Sequence, residues 1–63
     1  MTLYQIIETD AGLTVSELQP NTLPEVAAER AGGVVVDPGP YSTYEDAYDA
    51  MLALAVEEEE DEL

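Results

Sequence analysis

Between Gly32 and Val56 the chain sets a helix stop, a strand, a rigid turn and a helix start end to end. Gly32-Gly33 leads into Val34-Val35-Val36, then Asp37-Pro38-Gly39-Pro40, then Tyr41-Ser42-Thr43. The valine run is too short for a helix, and β-branching favours a strand. Its lack of alternation predicts an inner, well-buried strand. Pro38-Gly39 suits the centre of a type II turn, so the ladder is expected to end there. Ser42 with Glu45, or Thr43 with Asp46, then offers a capping box. Glu45, Asp46 and Asp49 suit the positive end of a helix dipole. The helix they open is expected to bury Tyr44, Ala47, Tyr48, Met51, Leu54 and Ala55, a stripe widened by Leu52 and Val56.

The earlier part of the chain reads as the cover for that unit. Leu3 to Thr9 and Leu13 to Leu18 are rich in strand formers and flank Asp10-Ala11-Gly12, which predicts an antiparallel hairpin. Tyr4, Ile6 and Glu8 share one face of the first strand, and Leu3, Gln5, Ile7 and Thr9 share the other. Neither face is purely apolar, so a sheet covered on one side is expected. Thr22-Leu23-Pro24-Glu25 reads as a capping box, with a helix from Leu23 to Ala31 whose inner side is Leu23, Val26 and Ala27. Gly32 or Gly33 stops it.

The expected fold is α+β: a small two-layer β-β-α-β-α domain, a three-stranded sheet with two helices on one face. The Val34 strand is expected beside the first strand and parallel to it. Residues 1–56 form the single compact domain. Residues 57–63 form an acidic C-terminal tail, expected to be frayed or disordered because its consecutive acids crowd the negative end of a helix dipole.

Size and charge bound the function. A chain of 63 residues without cysteine or histidine has no disulfides and no usual zinc ligand set. A domain this small rests on one thin apolar core, extended in some cases by a dimer interface. Fifteen acids face one base, Arg30, for a formal net charge of -14. Setting aside the six acids at 57–62 still leaves nine against that arginine. Such a field repels nucleic acid and anionic membranes and attracts basic proteins. It also costs self-repulsion, which salt screens, so adaptation to high salt explains the composition equally well. With no signal-like start and no long apolar run, a cytoplasmic protein is the default expectation.

No motif carries catalysis. Glu8 and Glu17 lie on neighbouring hairpin strands and are the one carboxylate pair to weigh against a glycosidase-type site. No calcium-loop spacing or phosphate loop is present. No enzyme activity, cofactor or metal site is therefore expected, with a small carboxylate enzyme as the remote alternative. Three of the four tyrosines fall between Tyr41 and Tyr48. Tyr41 and Tyr44 are expected to flank the proline turn, and with Glu45, Asp46 and Asp49 they form the candidate partner-contact surface. The expected role is an acidic accessory or protein-interaction domain, with a basic protein partner or a homodimer in view. The alternative is an acidic mimic of nucleic acid that occupies a basic groove.

Gly39-Pro40-Tyr41, followed by Glu45-Asp46-Ala47 and Leu52, resembles the closing strand-turn-helix of the sporulation-related repeat domains that bind peptidoglycan. The likeness is confined to that segment. The first strand-helix half of that family is missing and the order of elements differs, so no activity is carried over from it.

Overall fold

The structure, a computed structural model, describes residues 1–60, with side chains through Val56. The order is β1 (Leu3–Thr9), β2 (Gly12–Leu18), α1 (Pro24–Arg30), β3 (Val34–Tyr41) and α2 (Tyr44–Glu60). The α+β class, the β-β-α-β-α order, the three-stranded sheet and the two helices agree with the sequence reading. Of the expected 57–63 tail, residues 57–60 continue the backbone of α2, and 61–63 lie outside the described residues.

β1 is the central strand of a sheet ordered β2-β1-β3. It pairs with β2 antiparallel and without interruption, from Leu3 opposite Leu18 to Thr9 opposite Gly12. It also pairs antiparallel with β3, whereas a parallel neighbour was expected. Chain direction explains the difference. β2 and β3 run the same way on either side of β1, and α1 carries the chain from one edge to the other.

The expected single covered face does not hold at β1. Ile6 and Ile7 are adjacent, point to opposite faces, and are both 0% exposed. Each face therefore has its own cover. On one, the Gln5 side chain donates from Nε2 to the Pro24 carbonyl at 3.1 Å, which places α1 over Gln5, Ile7, Leu18 and Val35. On the other, the Tyr4 ring meets Tyr44 of α2 edge-on, with centroids 5.9 Å apart. The layering is helix, sheet, helix. Sequence alternation missed it because Gln5, a polar residue, is also fully buried and serves as the strut to α1.

α1 begins one residue later than expected and without the predicted capping box. Leu23 is its N-cap, makes no side-chain cap bond, and leaves Pro24 at the first turn. Proline costs nothing there, since that N–H has no helical partner. The inner contact is Ala28, which is buried, whereas Leu23 is exposed and Val26 borders on it. Small residues win this face because α1 spans only a narrow sheet. The stop is as expected. Gly32 takes φ +81°, its N–H donates to the Glu29 carbonyl, and the Gly33 N–H donates to the Ala28 carbonyl. This pair of bonds is a Schellman motif.

β3 departs furthest from expectation. It is an edge strand, and Val34 and Val36 are exposed. The ladder does not end at Asp37-Pro38-Gly39-Pro40 but resumes at Tyr41, opposite Tyr4. Eight residues of β3 lie along Tyr4–Glu8, with register shifts on either side of Ile6. The surplus is taken up by bulges around Val36 and the prolines. An edge strand tolerates this because its outer side has no ladder to interrupt.

Candidate functional site

The residues singled out in the sequence fall into two arrangements. The first is a closed loop at the end of β3. The Asp37 carboxylate accepts the Gly39 N–H at 3.1 Å through Oδ1 and the Tyr41 hydroxyl at 2.6 Å through Oδ2. One side chain thus holds both ends of the proline segment. The bond to Asp37, followed by partial burial and the negative charge of the same carboxylate, raises the Tyr41 pKa above the ordinary phenol value. Tyr41 is half-buried and acts as a tie within the loop.

The second arrangement is the outer side of α2. Thr43 opens the helix, and its Oγ1 accepts the Asp46 N–H at 3.2 Å. Of the two caps considered, Thr43 with Asp46 is the one whose hydroxyl bond forms. Tyr44 and Tyr48, one helical turn apart, stack with centroids 6.1 Å apart and planes 14° from parallel. Tyr4 meets Tyr44 edge-on, so the rings of Tyr4, Tyr44 and Tyr48 form one row from β1 to α2, while Tyr41 pairs with Tyr4 through the backbone and turns its ring to Asp37. Tyr41 and Tyr44 therefore do not flank the proline turn together: Tyr41 belongs to the Asp37 loop, and the ring contacts of Tyr44 are with Tyr4 and Tyr48.

The buried side of α2 is narrower than its apolar composition suggests. Ala47 is fully buried, and Ala50, Met51, Leu54 and Ala55 are half-buried. Tyr44, Tyr48, Leu52 and Val56, expected to belong to the buried stripe, are 53%, 42%, 44% and 55% exposed. They recur every fourth residue and form one ridge along the helix. Glu45, Asp46 and Asp49 are exposed beside it. The ridge was legible as a four-residue repeat, but periodicity alone assigned it to the core because it adjoins the inner stripe.

The arrangement offers binding chemistry. Glu8 and Glu17 share a face, but Glu17 pairs with Tyr4 and Glu8 with Leu13. Four residues of strand separate them, about 13 Å at 3.3 Å per residue. They do not converge on a bond to be cleaved. Among the described residues no group of three or more acidic, histidine or cysteine side chains is placed to hold a metal ion. Among the same residues no helix is long and apolar enough to cross a membrane. Comparison of the chain with protein-family models, with curated proteins and with solved structures finds no match.

Proposed function

We propose that this chain is a small acidic protein-interaction domain that docks through the outer side of α2. The observation that carries the reading is the exposed ridge Tyr44, Tyr48, Leu52, Val56 on a helix whose charged residues are all acidic. Single exposed apolar residues are ordinary on protein surfaces, whereas a contiguous run of them is the mark of a contact surface. Stacked tyrosines suit such a surface because each brings a large rigid area with few rotatable bonds. The partner that fits is a protein with an apolar groove rimmed by lysine and arginine. The net charge of -14 speeds that encounter, and the ridge holds the complex.

The test is capture from native lysate at the working salt, comparing the wild-type chain with a Tyr48→Ala, Leu52→Ala double variant. A basic protein retained by the wild type and lost by the variant, with the fold of the variant intact by circular dichroism, supports the reading. Equal retention by both rules it out. If the retained protein binds nucleic acid and duplex DNA displaces the chain whether or not the ridge is intact, acidic mimicry is the correct reading.

A further inference from the structure

β1 is paired on both sides, but β2 and β3 each leave one row of backbone N–H and C=O groups with no strand beside it. The two free edges are not equivalent. β3 carries Pro38 and Pro40 and two shifts of register, all of which blunt an edge against further pairing. It is also crowded by acids: Glu8 lies opposite Val34, and Glu25 and Glu29 of α1 line the hollow beside Val34 and Val35. β2 has none of these guards. Gly12–Leu18 contains no proline, and it keeps an unbroken register with β1.

Its own charge is low as well. In a chain of -14, residues 11–16 read Ala-Gly-Leu-Thr-Val-Ser and carry no charge. The one charged residue of β2 is Glu17, next to its end. The β3 edge would meet a second copy with Glu25 and Glu29 of α1 beside it. The β2 edge would meet it with neutral backbone.

We infer that β2 pairs antiparallel with β2 of a second copy, about a two-fold axis at Val15, making one continuous sheet across the dimer. Val15 is the middle residue of the strand, so this register uses its whole length. Val15 then lies opposite its own copy, and Thr14 lies opposite Ser16, a β-branched pair flanked by hydroxyl pairs. Each Glu17 lies opposite Leu13. The two Glu17 carboxylates are then four residues apart along the seam, about 13 Å. That exceeds the screening length of about 8 Å at physiological ionic strength. Sliding the seam towards Glu17 would bring the two acids together, so charge selects the central register. The surface used is separate from the α2 ridge, and the inference stands or falls independently of the proposed function.

Sedimentation equilibrium across a concentration series tests it. The wild type should reach twice the 6.8 kDa chain mass. The dimer fraction should rise as sodium chloride is raised from about 0.1 to about 1 M, where the screening length falls from about 10 to about 3 Å. Thr14→Asp, at an exposed position on the seam, should weaken the dimer at least about tenfold, equivalent to about 1.4 kcal/mol. Leu52→Glu, on the ridge, should leave it unchanged. In the wild type, amide exchange in β2 should slow as concentration rises, a readout that needs no variant to fold. A wild type that stays monomeric throughout, or a dimer that survives Thr14→Asp and is lost in Leu52→Glu, overturns the inference.

Discussion

β2 and β3 flank the same strand and hold it by different means. β2 follows a two-residue turn, and every residue from Gly12 to Leu18 has one partner on β1. Its register is set by the length of the turn and the alternation of its side chains. β3 arrives from the far side of the sheet after a helix and matches β1 only at intervals. Its register is held by particular groups: the close approach of Gly33 to β1, and the Asp37 carboxylate that closes the proline segment. A hairpin strand needs few special residues because the chain itself sets its place. A strand delivered by a crossover must be located by side chains and by the absence of one.

The largest expected contrast follows from Gly33. A Cβ there would lie 2.6 Å from the Glu8 carbonyl oxygen and 2.9 Å from Thr9 Cγ2, so backbone would have to shift. Gly33→Ala should cost about 1–3 kcal/mol, the usual range for overpacking. Thr14→Ala, an exposed change on β2, should stay within about 0.5 kcal/mol. Urea unfolding measures both, and equal losses would remove the distinction between the two edges.

A second contrast is in salt dependence. Acids gather beside β3, and β2 carries only Glu17. Lowering the salt should therefore speed amide exchange at Val34, Val35 and Val36 more than at Leu13, Thr14 and Val15 when the protein is dilute. The melting temperature of the whole domain should rise with sodium chloride. A flat dependence would show that self-repulsion is not a significant cost to this fold.

The smallest effect is confined to alkaline pH. The Tyr41 pKa is raised in the folded state by its bond to Asp37. The stabilisation this represents is fully present below the unfolded phenol value near 10, and it is lost as pH rises through the higher folded value. Tyr41→Phe should lower the melting temperature modestly near neutral pH and lessen the alkaline loss of stability. Ultraviolet titration of the wild type should show a phenol ionising above the ordinary value that is lost in that variant. An unchanged titration curve would mean that the Asp37 bond does not hold Tyr41 in solution.

Local chemistry made most of the elements legible. The hairpin turn at Asp10-Ala11, the Gly32 stop and the Thr43 cap each depend on residues a few positions apart. The same reasoning failed where distant residues competed. Thr22 and Glu25 matched a capping box, yet Leu23 and Pro24 take the helix start where Gln5 of β1 binds the Pro24 carbonyl. Tyr44 and Tyr48 matched the inner stripe of α2, but alanines at 47 and 50 let the helix settle close to the sheet and leave the rings outside.

By itself the sequence determined the α+β class, the order of five elements, the strong negative field, the glycine stop of α1 and the threonine cap of α2. These depend on propensity, periodicity and composition, which act over a few residues or over the whole chain at once. Only the tertiary structure decided that β3 runs antiparallel to β1, that the two faces of β1 have separate covers, and that the valine strand is an exposed edge. Those outcomes turn on which distant surfaces win the competition for one small core. Gln5 shows why they were hidden. It reads as a polar surface residue, yet it is fully buried, bonded to α1 through Nε2, with no hydrogen-bond partner for Oε1 among the described residues.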